Sequence, residues 1–129
     1  MPHLILIADD NADNILLIRR ILKRSGLELE FIDAQSGREA VRLAAERLPN
    51  LVLLDMKMPD LDGYGAAAEL KANQLTRNIP VIAVTAQAMM GDRERALEAG
   101  CDEYLMKPID PLLLIGTIRK YLSSPEGLG

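Results

Sequence analysis

The chain has 129 residues, with 15 basic and 19 acidic side chains, a formal net charge of −4 and 49% apolar residues. This length fits one domain with a two-sided core, and an aromatic content of 3% means that the core must be aliphatic. No apolar run approaches the roughly 18 residues of a membrane span, and no cluster of lysine and arginine marks a nucleic-acid surface. We therefore expect no membrane insertion and no direct DNA binding.

The chain termini and the single cysteine add expectations about location and domain limits. The first residues pass from a short apolar run directly to carboxylates, without the basic region and cleavage site of a signal peptide, which predicts a cytoplasmic location. Cys101 cannot form a disulfide within the chain, which favours a reduced structural thiol. We expect one domain over residues 1–122 and a flexible tail over 123–129.

Apolar strands and amphipathic helices alternate along the chain. Short apolar runs predict strands at 4–8, 27–32, 51–55, 79–86 and 103–108. Apolar residues at helical spacing predict helices at 12–24, 36–47, 62–73, 87–99 and 111–122. The second strand alternates apolar and charged residues, which is typical of a sheet edge. In the last helix the residues expected to face inward are Leu112, Ile115, Ile118 and Leu122.

Strict alternation of strands and helices predicts an α/β fold. Five apolar strands covered by helices on both faces form a doubly wound parallel sheet, (βα)5 and flavodoxin-like, with strand order 2-1-3-4-5. In that order strands one and three are neighbours at the switch point, where ligands bind beyond the carboxyl ends of the strands.

Polar residues end four of these strands at the same edge of the predicted sheet. Asp9 and Asp10 follow the first strand, Asp55 ends the third, Thr85 lies near the end of the fourth, and Lys107 near the end of the fifth. Three carboxylates this close repel one another unless protons or a cation relieve them. Mg²⁺ takes oxygen ligands and keeps several waters, so Asp10, Asp55 and a backbone carbonyl would suffice as protein ligands.

Asp55 is the predicted nucleophile of this site. A carboxylate can attack phosphorus and form an acyl phosphate, and the incoming phosphoryl oxygens require positive charge and hydrogen-bond donors. The metal, the Lys107 ammonium and the Thr85 hydroxyl would supply them. The only histidine, His3, begins the first strand, so the site has no histidine base, as suits a nucleophile that is already ionised.

Four motifs in order carry a family resemblance: the pair Asp9–Asp10, LVLLDMKMPDLDG at 51–63, VIAVTA at 81–86, and LMKPI at 105–109. Over roughly residues 4–122 the sequence resembles receiver domains of two-component response regulators. The resemblance implies that Asp55 is the phosphoacceptor and that Asp9 and Asp10 bind Mg²⁺, Asp9 often through water. It also implies a third metal contact from the Lys57 backbone carbonyl.

The resemblance assigns further roles around the acceptor. Thr85 would be the switch hydroxyl, Tyr104 the switch aromatic, and Lys107 a contact of the phosphoryl group, with a cis Lys107–Pro108 peptide. Tyr104 alone also fits an ordinary core aromatic. Lys57 and Gln87, each two residues beyond Asp55 and Thr85 respectively, flank the path of the attacking water and tune dephosphorylation in this family.

The resemblance also implies partners. Segment 88–109 is similar to stand-alone, DivK-like receivers and to those of hybrid histidine kinases. With no output domain attached, a stand-alone regulator is favoured; a receiver excised from a hybrid kinase or longer regulator is the alternative. The phosphoryl donor would be a histidine kinase or histidine phosphotransfer protein, docking on Leu16 and Leu17. A downstream protein would read the face formed by helices 87–99 and 111–122 with the strand between them, where many receivers of this family also form dimers.

Two other functional classes share parts of this pattern. A phosphatase of the haloacid-dehalogenase type uses an aspartate nucleophile, Mg²⁺, Thr and Lys, but it needs a second acid where this chain has Lys57. An unphosphorylated interaction module would not need the complete polar set. We therefore expect a signalling switch whose only chemistry is self-phosphorylation and slow autodephosphorylation at Asp55.

Overall fold

The computed structural model describes residues 2–86 and 91–122, in which five strands and five helices alternate. In chain order they are β1 (His3–Ala8), α1 (Ala12–Lys23), β2 (Leu29–Ala34), α2 (Gly37–Arg47), β3 (Leu51–Asp55), α3 (Gly63–Ala72), β4 (Val81–Thr85), α4 (Asp92–Ala99), β5 (Glu103–Met106) and α5 (Pro111–Leu122). The strands pair in parallel in the order β2-β1-β3-β4-β5. The predicted fold class and strand order are confirmed.

Several element boundaries differ from the sequence prediction, by one or two residues except at the start of α4, and two of these shifts have an identifiable cause. Strand β2 starts and ends two residues later than expected, because residues before Leu29 form the turn out of α1, where Gly26 has φ of 82°. Helix α4 begins at Asp92, since Gly91 takes the N-cap position with φ of 91°. Residues 87–90, with the predicted Gln87, and the predicted tail 123–129 lie outside the described residues.

The sheet separates two aliphatic cores, because successive residues of a strand point to opposite faces. The first core joins the sheet to α2, α3 and α4, and its members include Leu6, Ala8, Val52, Leu54, Val81, Ala83, Leu70 and Ala96. The second core joins the sheet to α1 and α5, and its members include Ile5, Ile7, Leu51, Leu53, Ile82, Val84, Leu22, Leu114 and Ile118. Both faces of the central strands are therefore buried, as their continuous apolar sequences predict.

Side chains cap the helices whose starts shape the sheet edge. The Asn11 side chain accepts a hydrogen bond from the Asp13 N–H at the start of α1. The Ser36 hydroxyl accepts from the Glu39 N–H at the start of α2, as their spacing predicts. The Asp62 side chain accepts from the Gly65 N–H at the start of α3. These caps fix where the chain turns from strand end to helix, which is where the polar residues cluster.

The inward face predicted for α5 is wrong at Leu112, whose side chain is 81% exposed. The buried residues of this helix are Leu114, Thr117 and Ile118. Both sets have helical spacing, so periodicity alone does not choose between them. The choice depends on how α5 docks against the second core, where Leu114 and Ile118 pack.

Leu48, the C-cap of α2, has a left-handed backbone conformation with φ of 48° and ψ of 62°. This conformation is strained for residues with a β-carbon, whereas glycine adopts it readily. We expect Leu48→Gly to be about 1 kcal/mol more stable than Leu48→Ala. Both variants lose essentially the same side chain, so the difference between their urea unfolding free energies isolates the backbone strain. Equal stabilities would contradict this explanation.

Cys101 lies in the first core with only 5% of its surface exposed. Burial raises the pKa of its thiol to about 11, with the negative charge of Asp102 adding to the effect and Lys71 opposing it. At pH 8 about one thiol in a thousand is therefore ionised. We expect iodoacetamide to modify the folded chain at least about a hundredfold more slowly than the chain unfolded in guanidinium. Equal rates, followed by mass spectrometry, would show that the thiol is accessible.

Candidate functional site

Three carboxylates meet at the carboxyl edge of the sheet. Asp9 follows β1 and Asp55 ends the neighbouring β3; both side chains are buried, whereas Asp10 is exposed. One oxygen from each of the three carboxylates lies within 4.8 Å of the others. The cluster predicted from the strand order is therefore present.

Lys107 brings a positive charge to the two buried carboxylates. Its Nζ lies 3.0 Å from Asp9 Oδ2 and 3.3 Å from Asp55 Oδ2. The backbone delivers it there, because the Lys107 N–H donates to the Thr85 carbonyl at 2.8 Å and continues the pairing of β4 with β5. The Lys107–Pro108 peptide is cis, as predicted. One ammonium thus links the ends of β1, β3 and β5.

The other carboxylate oxygens accept backbone hydrogen bonds. Asp9 Oδ1 accepts from the Asn11 N–H at 2.9 Å, and Asp55 Oδ1 accepts from the Lys57 N–H at 3.1 Å. Both carboxylates are therefore held in fixed orientations by the turn that follows their strand. This contact of Asn11 was not predicted from the sequence, because it depends on the path of the turn.

The pKa values of Asp55 and Lys107 reflect their burial and the charges around them. Burial raises the pKa of the Asp55 carboxyl; the hydrogen bond from Lys57 lowers it, the charge of Asp9 raises it further, and Lys107 lowers it. Burial alone would lower the pKa of Lys107, but the hydrogen bond to Asp9 and the charges of Asp55 and Asp9 raise it above its usual value. Lys107 is therefore a permanent cation at neutral pH.

The donor set fits a hard divalent cation. Asp9, Asp10 and Asp55 offer carboxylate oxygens close enough to share one ion, and Mg²⁺ prefers such oxygens with water completing its octahedron. The partial exposure of the cluster at Asp10 gives water access. A cation would also relieve the repulsion that a single ammonium leaves among three carboxylates.

Thr85 and Tyr104 lie on the face of the sheet that carries the first core. Thr85 is buried and follows Ala83 on the face of the first core, against which Tyr104 packs half-buried. Burial raises the pKa of the Tyr104 hydroxyl, and the negative charge of Asp92 adds to the effect. The two residues predicted to act together as a switch therefore share one face, on neighbouring strands β4 and β5.

Gly63 ties the first turn of α3 to the end of β3. Its N–H donates to the Met56 carbonyl at 3.0 Å. A β-carbon at Gly63 would lie 2.5 Å from both the Asp55 carbonyl oxygen and Met56 Cα. Only glycine allows this approach, so α3 rests directly on the backbone that carries Asp55.

A cavity of about 350 Å³ adjoins the site on the α3 and α4 side, and its lining includes Lys57, Thr85, Tyr64 and Arg95. The Arg95 guanidinium lies over the Tyr64 ring, 4.0 Å from its centroid. Neither Tyr64 nor Arg95 was predicted from the sequence to belong to the site. No spacing rule connects two residues so far apart in the chain and on different helices.

The chain belongs to the response regulator receiver domain family, whose model matches residues 5–119. It is 43% identical over 122 residues to the polar-differentiation response regulator DivK of Brucella anthropi, covering 95% of this chain and 98% of that protein. DivK of Brucella ovis matches equally, also at 43% identity with 95% and 98% coverage. The similarity therefore extends over nearly the whole of both relatives.

Solved structures agree with this assignment. The receiver domain of a sensor histidine kinase from Pseudomonas aeruginosa PAO1 has a TM-score of 0.87 and 35% identity, covering 96% of this chain and all of that one; its structure has a magnesium ion coordinated in the active-site cleft. A CheY-like receiver domain protein from Methanospirillum hungatei JF-1 has a TM-score of 0.84 and 32% identity over the full length of both chains. Across residues 2–86 and 91–122, no helix is long and apolar enough to span a membrane.

Proposed function

We propose that this chain is a phosphorylation-dependent signalling switch in which Asp55 accepts a phosphoryl group from a phosphohistidine. Membership of the receiver family supports the general role. The observation that carries the assignment to Asp55 is its place at the centre of the site: it is buried, belongs to the three-carboxylate cluster, and shares the Lys107 ammonium with Asp9. The donor would be a sensor histidine kinase or a histidine phosphotransfer protein.

In the proposed transfer an Asp55 carboxylate oxygen forms a bond to phosphorus while the phosphorus–nitrogen bond of the donor breaks. The bonding electron pair returns to the donor imidazole, and the product is an aspartyl phosphate. The Lys57 N–H and Lys107 Nζ orient the carboxylate before attack, and Lys107 can follow the phosphoryl oxygens afterwards. Mg²⁺ held by Asp9, Asp10, Asp55 and the Lys57 carbonyl would supply further positive charge for those oxygens.

The added charge would be read through Thr85 and Tyr104. The Thr85 hydroxyl would move to a phosphoryl oxygen, and Tyr104 would turn into the space that Thr85 leaves. Tyr104 lines a groove with Gly91, Met106 and Leu113, between α4 and α5. A change there alters the α4–β5–α5 face offered to a downstream protein, or to a second copy of the chain in a weak dimer. Lys57 and Gln87 would set the lifetime of the phosphorylated form.

The donor would dock beside α1. Leu16 and Leu17 are 46% and 50% exposed, and Leu17 lines a groove with Pro111 and Ile115 at the start of α5. Leu112, exposed against expectation, is the residue after Pro111. Helices α1 and α5 both begin at the carboxyl edge of the sheet, so a helical donor seated there could present its histidine to Asp55.

The near-complete coverage of the DivK relatives supports a stand-alone regulator. For this candidate we propose a cytoplasmic location, one domain over residues 1–122 and a tail over 123–129. The similarity to the receiver of a sensor histidine kinase supports the second candidate, a receiver excised from a hybrid kinase or longer regulator. Both candidates share the chemistry at Asp55 and differ only in what surrounds the domain.

Phosphorylation by a small acyl phosphate donor tests the function. With acetyl phosphate and Mg²⁺, intact-mass spectrometry should show one added phosphate, removed by hydroxylamine and absent when EDTA chelates the metal. A phosphorylated histidine phosphotransfer protein should transfer the same group faster. Steady turnover of a phosphate monoester would point instead to a phosphatase. No incorporation from either donor would point to an unphosphorylated interaction module.

A further inference from the structure

The cavity behind Thr85 is lined in part by α3 and α4, two helices that have no role in the proposed phosphoryl transfer. Its walls include Lys57 and Thr85 from the acceptor side, Tyr64 from α3, and Arg95 from α4. Arg95 brings a positive charge from α4 to this cavity. Its position there requires an explanation, because an exposed arginine on a helix otherwise samples many conformations.

Tyr64 provides that explanation. The Arg95 guanidinium lies 4.0 Å from the Tyr64 ring centroid, which is a close stacking distance for a cation on an aromatic face. Tyr64 itself is half-buried and packs against the first core. The preceding Gly63 is fixed to the end of β3 by the close approach described above. Arg95 is therefore positioned, through Tyr64, relative to the backbone of Asp55.

The balance of charges in the cavity lining depends on Arg95. Its lining carries two cations, Lys57 and Arg95, and two carboxylates, Asp62 and Asp92. The Asp62 side chain already accepts the capping hydrogen bond from Gly65. Without Arg95 the two carboxylates would outnumber the one cation left in the lining, so the cavity would become less favourable for an anion held at its edge.

We propose that Arg95, positioned by Tyr64, is a further anion-stabilising residue of the acceptor site, through which the charge gained at Asp55 acts directly on α4. This inference rests on the proposed function. It gives α4 a connection to the site that is separate from Thr85 and Tyr104. Because coupling is reciprocal, whatever displaces α4 and Arg95 should also weaken the hold on the anion.

Beryllofluoride with Mg²⁺, a mimic of the aspartyl phosphate, tests the proposal by titration followed through backbone amide NMR signals. We expect Arg95→Ala to bind the mimic roughly 3- to 10-fold more weakly than the unmodified chain, with the difference shrinking as salt is added. Mg²⁺ alone should bind Arg95→Ala equally well or more tightly, because a nearby cation has been removed. A merely structural role would weaken both.

Matched variants separate the effect of the Arg95 charge from that of the Tyr64 ring on which it stacks. Arg93→Ala removes the same charge from an exposed position on the same helix, and it should change mimic affinity less than about twofold. Tyr64→Phe keeps the ring and should bind as the unmodified chain does. Tyr64→Leu should lose as much affinity as Arg95→Ala, and the double variant should lose no more than either alone.

The outcomes separate this inference from the function on which it rests. If the unmodified chain does not bind the mimic, the proposed function fails and the inference with it. If the unmodified chain binds but Arg95→Ala binds equally well, the function stands and the role of Arg95 is refuted. A parallel loss of mimic and Mg²⁺ affinity, or an equal loss in Arg93→Ala, refutes it as well.

Discussion

Asp55→Asn should incorporate no phosphate under conditions in which the unmodified chain gains one. An amide oxygen is a far weaker nucleophile than a carboxylate and cannot form the aspartyl phosphate. The matched control is Asp60→Asn, because Asp60 is an exposed aspartate in the loop that follows β3. Its φ of 68° is a conformation that asparagine tolerates. The control should be phosphorylated normally, and phosphate that persists in Asp55→Asn would remove the acceptor role from this residue.

The same variant should not lose stability, which excludes unfolding as the cause. The pKa of Asp55 is raised in the folded chain, chiefly by burial. An acid whose folded pKa lies above its unfolded pKa costs folding free energy once both states are ionised, as at pH 7. The substituted amide carries no charge, and Lys107 keeps its bond to Asp9. We therefore expect a thermal midpoint at or above that of the unmodified chain, and the advantage should disappear below the unfolded pKa of about 3.9.

Gly63→Ala should destabilise the fold by about 3 kcal/mol. The added methyl group would press on the Asp55 carbonyl oxygen and on Met56 Cα, and neither belongs to a side chain that can rotate away. Relief requires α3 to lift from β3, which would also disturb the Lys57 turn that orients the carboxylate. Urea unfolding measures the loss, and the rate of phosphorylation from acetyl phosphate should fall in the fraction that remains folded.

Gly116→Ala is the matched control for that substitution. Gly116 lies in the interior of α5, is exposed, and has no atom within 4 Å of the site of an added β-carbon. Alanine there should stabilise the chain by roughly 0.5–1 kcal/mol, since glycine is a poor helix residue. If both variants changed stability in the same direction, the close approach at Gly63 would not be the cause.

The sequence was sufficient for the fold because its elements depend on local patterns. Continuous apolar runs mark the buried strands, the Ser36 and Glu39 spacing marks a helix start, and strand order follows from the alternation of elements. The order of the strands then brings Asp9, Asp55 and Lys107 together, although they lie up to 98 positions apart. Once the order of the strands was predicted, the sequence indicated which strand-end residues would meet at the edge of the sheet.

The sequence predictions fail where the outcome depends on how the helices and strands pack against one another. Leu112 and Leu114 both fit a helical stripe, and only the contact of α5 with the second core selects Leu114. The start of β2 depends on the turn at Gly26 rather than on side-chain alternation. The stacking of Arg95 on Tyr64 is a contact between two helices, and neither the residue types nor their spacing predicts it. Such contacts need the relative placement of elements, which a local pattern does not contain.

The separation of the two surface grooves bears on the order of binding events. The groove beside α1, at Leu17 and Pro111, shares no lining residue with the groove that contains Tyr104. If the proposed donor contacts only the first groove, it leaves the second uncovered. A target could therefore be recruited before the donor departs, and the time for which a signal lasts would not be limited by how quickly the donor dissociates.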